Sequence, residues 1–392
     1  MEIKQTSHIN NRENSNGLSF VKIGIINPGY GYERVSYALS HDDFDFKRLY
    51  TLPLYKLLKA QTNFYRETPL VMDVGVDLLH TWNSLPLCRK PFIVSYECEL
   101  PRYLGNVKPW QLNFGKKILR SNRCRKILAL SEAAKNRLTL SLTEPDDDKI
   151  INKIDVFRGG VSLPISPKET YSTTGPLNLL FVGTDAIRKG VVPLFYACEA
   201  LIRQGLDIKL TFIGGFSEAC YVYGEHLPDI AKLESLLRSA NWVEYKGRVP
   251  INTVFEEMKA SDVLVFPTFD ESLGWVPIEA GLLGVPTIAT DIFALPELID
   301  NGKTGRLVSI DKRDDRRFVG LNTTGDTLKN HLDKANADIQ KGLSNAIQDM
   351  YANRHIVEKY GRAARIKLGA MYGADKAALT IKKIYEKNEC LL

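Results

Sequence analysis

Short apolar runs alternate with longer mixed stretches along most of the chain, and this pattern predicts strands and helices in turn. The clearest run, Val263–Phe266, is β-rich and stops at Pro267. A run of this length and composition predicts a strand buried on both faces of a parallel sheet. Residues 275–283 favour a helix, because Pro277 falls in its first turn, where proline is tolerated. A second strand is predicted at Thr287–Thr290.

The same rhythm extends over the rest of the chain and predicts an α/β protein with parallel sheets. Further strands are predicted at residues 20–26, 77–83, 91–97, 126–130, 154–157, 177–182, 207–213 and 243–249. Helical patterns fill the C-terminal part at 328–351, 354–372 and 375–387. A chain of 392 residues suits two domains of ordinary size better than one.

The loop after the strand at Val263–Phe266 carries the first candidate chemistry. In a strand-loop-helix unit, the loop and the helix N-terminus lie at the carboxyl edge of the sheet, where free N–H groups and the helix dipole favour an anion such as a diphosphate. Glu271 and Glu279 bracket this turn. Carboxylates beside a phosphate would repel it, so we expect them to accept hydrogen bonds from sugar hydroxyls. The alternative is that both are solvated surface charges.

Composition narrows the class of protein. Hydrophobic residues make up 44% and charged residues 25% of the chain, which is typical of a soluble globular protein. Residues 1–18 are polar and are expected to be disordered, without the pattern of a secretory signal. No apolar run approaches the length needed to cross a bilayer. Six cysteines without Cys-x-x-Cys spacing indicate thiols of a reducing cytoplasm and argue against a disulfide framework or a zinc site.

The net charge of +6 is modest, but its distribution is uneven. Residues 101–131 contain no acidic residue, while basic residues accumulate over 102–126 among aromatic and aliphatic ones. This pattern fits a basic amphipathic helix that rests on an anionic membrane surface or holds an acidic acceptor. Alternatively, it is a solvated helix face whose apolar side packs on the domain. Nucleic acid is not an expected partner, because no recognition motif accompanies the charge.

The motif around Glu271 and Glu279 resembles the donor-binding signature of the family 4 retaining glycosyltransferases. The two glutamates have seven residues between them, and the family's usual Glu-Gly-Phe-Gly reads Glu-Ser-Leu-Gly at 271–274. The resemblance is strong over 177–307 and elsewhere extends only to the strand-helix rhythm. It implies the GT-B fold, in which two Rossmann-like domains face each other across a cleft and the C-terminal helix crosses back to the N-terminal domain.

The resemblance, together with composition, implies five segments along the chain. These are a disordered N-terminal tail at 1–18, an N-terminal Rossmann-like acceptor domain at 19–165, a linker rich in Ser, Thr and Pro at 166–176, a C-terminal Rossmann-like donor-binding domain at 177–371, and a C-terminal helix at 372–392 that packs on the N-terminal domain. Residues 311–336 match no pattern that the sequence explains.

The resemblance also assigns roles on the donor side. Lys189 matches the lysine that the family places before a glycine, whereas Thr184 stands where an arginine is usual, which makes Arg188 the candidate replacement. Glu279 is expected to hold the ribose hydroxyls, and Glu271 the donor sugar or the loop that orients it. Backbone groups complete the donor site, and they belong to Ser272, Leu273 and Gly274 at the diphosphate, to Val249 at the nucleobase, and to Gly29 and Gly31 in a closing loop.

Polar side chains near the ends of two N-terminal strands are candidates for the acceptor side of the cleft. They are His80, Asn83, Glu97 and Glu99. The family commonly has a His-Asp pair where this chain reads Glu97-Cys98. Glu97 therefore either accepts a proton from an acceptor hydroxyl or makes a structural hydrogen bond.

The resemblance implies a retaining, hexosyl-type glycosyltransferase that moves a sugar from a nucleoside-diphosphate sugar to an acceptor hydroxyl. Neither a metal ion nor another cofactor is expected. A saccharide or lipid-linked acceptor of a bacterial surface polysaccharide or glycolipid, and a cytoplasmic protein peripheral to the inner face of the membrane, are expected by analogy. Two rival functions stay open, a sugar-nucleotide epimerase of the same fold and a non-catalytic saccharide-binding regulator.

Overall fold

The structure is a computed structural model, and it describes residues 21–26, 34–35, 44–52 and 62–389. Among these residues, two compact units are found. Unit 1 contains the described parts of Met1–Leu130, Leu138–Gly160 and Ala374–Leu392, and unit 2 contains Ser131–Arg137 and Val161–Gly373. The predicted tail at 1–18 lies outside the described residues.

Unit 1 is built on a six-stranded sheet in which neighbouring strands are parallel, in the order β2-β1-β5-β6-β7-β8. Its strands are β1 (Val21–Ile26), β2 (Phe44–Leu49), β5 (Leu78–Trp82), β6 (Phe92–Tyr96), β7 (Cys124–Ala129) and β8 (Ile154–Val156). Every residue of β6 is buried, as an interior strand covered on both faces requires. A small antiparallel pair, β3 (Thr51–Leu52) and β4 (Leu70–Val71), stands apart from this sheet.

Unit 2 contains the second six-stranded parallel sheet, in the order β11-β10-β9-β12-β13-β14. Its strands are β9 (Leu177–Gly183), β10 (Ile208–Gly214), β11 (Val243–Gly247), β12 (Val263–Phe266), β13 (Thr287–Thr290) and β14 (Gly305–Val308). The strands β12 and β13 have the bounds that the apolar runs predict, and all their residues are buried. The predicted α/β class with two parallel sheets is confirmed.

Helices connect these strands and cover the sheets. In chain order, with α1 as the first helix for which bounds are described, they are α1 (Phe64–Glu67), α2 (Pro109–Arg120), α3 (Glu132–Leu140), α4 (Asp148–Ile151), α5 (Val191–Arg203), α6 (Ile230–Ser239), α7 (Ile251–Ala260), α8 (Trp275–Leu282), α9 (Leu295–Leu298), α10 (Gly325–Ala352), α11 (His355–Tyr372) and α12 (Ala374–Glu389). In the part of the chain that the structure covers, no helix combines the length and the apolar character needed to cross a membrane.

The last helix, α12, belongs to unit 1, although it follows the whole of unit 2 in sequence. Tyr385 is fully buried there, and its hydroxyl lies 2.7 Å from Nδ1 of the buried His80. The ring of Phe44 in β2 meets the Tyr385 ring edge-on at 5.1 Å. A helix from the C-terminus therefore packs on the first sheet, as expected.

The basic segment at 102–126 contains a helix and the start of a strand. Helix α2 covers only Pro109–Arg120, and the strand β7 takes up Arg125 and Lys126. Acidic residues from outside the segment neutralise part of its charge. Lys116 and Arg120 pair with both Glu144 and Asp147, Arg102 pairs with Glu97, and Lys126 pairs with Asp155. A window of sequence could not show the partners of Lys116, Arg120 and Lys126, because these are more than twenty residues away along the chain.

Candidate active site

The candidate site lies at the point in the second sheet where the strand order reverses. The chain passes from β9 through β10 to β11 on one side, and then through β12 and β13 to β14 on the other. The loops that leave β9 and β12, residues 184–190 and 267–274, are therefore neighbours at the carboxyl edge. In open parallel sheets, ligands bind in the crevice at such a reversal.

Glycines bring the backbones of these loops into contact. A Cβ atom added at Gly190 would lie 2.0 Å from the carbonyl oxygen of Pro267, so only glycine permits this approach. Gly190 also has a φ of +82°, a conformation that glycine adopts without steric cost. On the other side of β9, a Cβ atom at Gly214 would lie 1.8 Å from the Gly183 carbonyl oxygen. The three loops after β9, β10 and β12 are thus assembled backbone to backbone.

Lys189 and Glu271, one from each loop, form an ion pair. Their side chains are only 12% and 13% exposed, and the Lys189 ammonium also lies 4.6 Å from the centre of the Phe266 ring. Burial lowers the pKa of the Lys189 ammonium, and the Glu271 carboxylate offsets part of this shift. A buried ammonium that is held by a single carboxylate and a ring face is a cation that an anionic ligand can compete for.

Arg188 contributes a second cation to the same place. Its Nε donates to the Asp185 carboxylate at 2.9 Å, and its Nη1 donates to the Asp270 carbonyl oxygen at 2.8 Å. Burial alone lowers the pKa of this guanidinium, but Tyr221, Glu271 and Asp185 more than offset that effect, so the pKa lies above its ordinary value. The group therefore stays charged while it holds the loop after β12.

Helix α8 begins directly after this loop. Gly274, at φ +96°, precedes its first residue Trp275, and the Ser272 N–H donates to the Glu271 carboxylate at 3.0 Å. The first N–H groups of a helix have no acceptor within it and carry the positive end of its dipole. Glu279, in the second turn of α8, is only 2% exposed. Cations and a helix N-terminus are thus combined at one edge, as a diphosphate requires.

A cluster around Asp270 was missed by the sequence analysis. The Asp270 carboxylate, 7% exposed, accepts from Arg317 and from the Tyr221 hydroxyl. Arg317 follows Asp270 by 47 residues and lies in the segment that sequence patterns did not explain. No local signal connects the two residues, since only the fold brings them together.

Residues 176–319, which contain these loops and the cluster, match the family model described as glycosyl transferases group 1. Alpha-maltose-1-phosphate synthase of Mycobacterium tuberculosis (strain CDC 1551 / Oshkosh) is 27% identical over 250 residues, which cover 61% of this chain and 57% of that protein. Over this stretch, which is less than half of the chain, the protein is similar to the glycosyl transferases group 1 family. It spans less than two thirds of the length of this curated relative.

Solved structures of similar architecture cover nearly the whole of this chain. Sucrose-phosphate synthase from Thermosynechococcus elongatus aligns with a TM-score of 0.62 at 15% identity, over 95% of this chain and all of that one. HepE from Anabaena, solved in complex with UDP-glucose, aligns with a TM-score of 0.58 at 13% identity, over 93% and 99% of the two chains. At these identities the likeness concerns the fold alone, and it confirms the expected GT-B fold.

The structure brings several of the predicted donor-side residues together, while their roles stay predictions. Lys189, Arg188 and residues 271–274 meet where β9 and β12 end. Thr184 lies exposed in the same loop as Lys189, and Val249 is half-buried beyond the edge strand β11. Gly29 and Gly31 lie outside the described residues.

The predicted acceptor-side residues belong to unit 1, and the acceptor role of His80 stays a prediction. It is fully buried in β5, its Nε2 lies 2.8 Å from the Ser95 hydroxyl, and burial lowers its pKa to about 3. With Tyr385 at the other ring nitrogen, His80 serves the packing of α12. The sequence around His80 does not show whether its ring faces solvent or the core.

The other three acceptor candidates lie together just after β5 and β6. The Asn83 side chain accepts from the Glu97 N–H at 3.1 Å, and the Glu97 carboxylate pairs with Arg102 at 3.1 Å. Asn83 is only 5% exposed, whereas Glu97 and Glu99 are half-buried. The ion pair supports the structural alternative for Glu97, and an acceptor role for this group stays a prediction.

The close approach of Gly190 to Pro267 predicts a specific sensitivity to substitution. Gly190→Ala is expected to lower the free energy of unfolding by roughly 1–2 kcal/mol for the left-handed backbone and by about 1–3 kcal/mol more for the forced separation of the loops. Gly205→Ala is the matched control, because Gly205 has a φ of +92° but nothing within 4 Å of an added Cβ. Chemical denaturation measures both, and equal losses would contradict the close contact.

Proposed function

We propose that this protein is a retaining glycosyltransferase of the group 1 family that moves a sugar, of the hexosyl type, from a nucleoside-diphosphate sugar to an acceptor hydroxyl. The observation that carries the proposal is the meeting of Lys189 with Glu271 beside the α8 N-terminus, at the reversal of the sheet order. An ammonium and a helix dipole suit a diphosphate, while a carboxylate suits sugar hydroxyls.

In the proposed reaction, the bond between the anomeric carbon and the diphosphate oxygen breaks, and its electron pair goes to the diphosphate. Lys189, Arg188 and the N–H groups that open α8 stabilise the charge that develops there. The acceptor oxygen attacks the same face of the sugar, and its proton passes to the departing diphosphate, so the anomeric configuration is retained. Glu271 orients the sugar or the loop, Glu279 holds the ribose hydroxyls, and no metal ion takes part.

The similar proteins support this choice of substrate class. HepE was solved with UDP-glucose, and the curated relative is a maltose-1-phosphate synthase. Each name describes only the protein that carries it. Both names agree with a site that combines cations and carboxylates. By the same analogy, the acceptor is proposed to be a saccharide or lipid-linked saccharide of a bacterial surface polymer.

Replacement of the buried ammonium tests the reaction. Lys189→Ala is expected to lower kcat/KM by about 10²–10³-fold, because loss of one donor to a developing oxyanion costs roughly 2–4 kcal/mol. The measurement is release of nucleoside diphosphate from a panel of UDP, GDP and ADP sugars, with saccharide acceptors and with EDTA present. Lys209→Ala, an exposed lysine of β10, is the matched control and should leave the rate unchanged.

The same assay separates the rival functions. A transferase releases nucleoside diphosphate only when an acceptor is present, and NMR of the product shows the donor's anomeric configuration. Epimerisation without an acceptor would favour an epimerase. Binding of a nucleotide sugar without turnover across the panel would favour a saccharide-binding regulator. An equal rate for wild type and Lys189→Ala would overturn the proposed site.

The lowered pKa of Lys189 predicts a pH dependence of binding. Of the two protonation states of Lys189, only the ammonium attracts the diphosphate. The pKa of this ammonium lies below that of an ordinary lysine because of burial. Affinity for nucleoside diphosphate should therefore fall as pH rises through a midpoint below about 10.4, the value for a free lysine side chain. Glu271→Gln should move this midpoint to lower pH, because the carboxylate raises the pKa of Lys189. Isothermal titration calorimetry across pH 7–10 checks both, and an unmoved midpoint in the variant contradicts the pairing.

We also propose that the start of α2 rests on an anionic membrane surface. Leu104, Trp110, Leu112 and Phe114 are 37–52% exposed, and Lys108 and Lys117 lie exposed among them. Other residues of α2, among them Ile118 and Leu119, are buried and attach the helix to unit 1. Apolar side chains for the acyl boundary and cations for phosphate headgroups are what a peripheral helix needs. This would place a lipid-linked acceptor close to the enzyme.

Vesicle binding tests this surface. The double variant Trp110→Ser, Leu112→Ser is expected to lose at least about tenfold in partitioning to vesicles that contain phosphatidylglycerol, since both side chains contribute buried apolar area. Wild type should bind pure phosphatidylcholine vesicles weakly, because the cations then have no anionic headgroup. Ile366→Ser, which removes an apolar side chain 75% exposed on α11, is the control and should bind like wild type. Equal co-sedimentation of all three proteins would refute the surface.

A further inference from the structure

The segment after β14 forms a small hairpin that points an arginine at the candidate site. Lys312 pairs with Phe318 in an antiparallel bridge, and the Arg313 N–H donates to the Arg317 carbonyl oxygen at 2.9 Å. The Asp315 carboxylate closes the turn, because it accepts from the Arg317 N–H at 3.1 Å and from the Arg313 side chain at 3.0 Å. The backbone that carries Arg317 is therefore held on both sides.

Arg317 makes a two-pronged ion pair with Asp270. Its Nε donates to one carboxylate oxygen at 3.0 Å and its Nη2 to the other at 2.6 Å. The Tyr221 hydroxyl donates to the second oxygen at 2.5 Å, and burial and the charge of Asp270 raise the pKa of this phenol, so it stays a donor. Paired hydrogen bonds of this kind fix the direction of a carboxylate as well as its charge.

Neighbouring residues make the contact between the hairpin and the loop rigid. Phe269 and Phe318 are both fully buried, and their rings meet edge-on at 5.5 Å. Adjacent residues on each segment thus contact adjacent residues on the other, Phe269 with Phe318 and Asp270 with Arg317. Two contacts in register define the orientation of the loop, which a single contact would leave free to pivot.

Asp270 is also the point at which the hairpin reaches the proposed catalytic groups. Its carbonyl oxygen accepts from Arg188 Nη1 and from the Thr268 hydroxyl, both at 2.8 Å. The next residue, Glu271, pairs with Lys189. Any rotation of residue 270 would therefore move the Glu271 carboxylate and disturb Arg188 at the same time.

We propose that Arg317 and Tyr221 are positioning residues that hold Asp270, so that Glu271 is oriented to receive the donor sugar. This inference rests on the proposed function and extends it to the segment after β14. A carboxylate within hydrogen-bond reach of one sugar hydroxyl discriminates only if its own direction is fixed, and the supporting groups supply that constraint. The larger effect is expected on the sugar, because the diphosphate is also held by the N–H groups that open α8, which do not depend on the direction of Glu271.

Conservative variants test this role. Arg317→Lys keeps the charge but loses the two-pronged geometry, and Tyr221→Phe removes one donor. Each is expected to weaken binding of the intact nucleotide sugar, by at least about tenfold for Arg317→Lys and about threefold for Tyr221→Phe, with a clearly smaller loss in binding of the matching nucleoside diphosphate. Arg313→Lys is the matched control, because Arg313 pairs with Asp315 in the same hairpin and does not contact Asp270 in the described contacts. Its ratio of the two affinities should equal that of wild type.

A second measurement does not depend on any ligand. Hydrogen exchange of amides in residues 268–276 should be at least about fivefold faster in Arg317→Lys than in wild type, while exchange in β9 is unchanged. If wild type binds no nucleotide, the proposed function fails, and the exchange experiment still decides the positioning. Unchanged exchange at 268–276, or equal loss of diphosphate and nucleotide-sugar binding, would overturn the inference. If Arg313→Lys showed the same effects, Arg317 would only stabilise the hairpin, and the positioning role would be overturned.

Discussion

The ion pair between Lys189 and Glu271 is the interaction on which the candidate site depends. It joins the loop after β9 to the loop after β12, and both partners are largely removed from solvent. A buried ion pair contributes little net stability, because desolvation of the two charges opposes their attraction. The ion pair therefore matters more for the arrangement of the two loops than for the stability of the protein. It keeps a cation and a carboxylate together at the edge where parallel sheets bind their ligands.

The close approach of the loop backbones makes the ion pair between Lys189 and Glu271 possible. Glycine at position 190 lets the two loops approach more closely than any other residue would allow. Glycine at 214 does the same between the loops after β9 and β10. The parallel order of the sheet then aims the start of α8 at the same place. The electrostatic character of the site thus follows from topology and close backbone contact, with Lys189 and Arg188 added at one loop.

The second layer of the site comes from a part of the chain that has no recognisable pattern. The hairpin at 312–318 supplies Arg317, and the residues before α6 supply Tyr221. Both hold Asp270, which precedes Glu271 in the loop. In a site of this kind, some residues are proposed to contact the substrate, and other residues fix the direction of those side chains. This division of roles gives a reason for the close packing of the hairpin at 312–318 against the loop, in which Phe318 is fully buried.

The sequence by itself determined the α/β class and the bounds of β12 and β13, because short apolar runs and strand-loop-helix motifs are local signals. The family resemblance assigned Lys189 and the Glu271 loop to one donor site, and the structure brings the two together. The sequence also predicted His80 for the acceptor side and a basic amphipathic helix within 102–126, without showing the burial of His80 or the bounds of that helix. Only the tertiary structure decided that His80 faces Tyr385, that Glu144 and Asp147 neutralise α2, and that Arg317 reaches Asp270. Each of these contacts joins residues more than twenty positions apart, and local patterns carry no information about which distant partner a polar side chain meets.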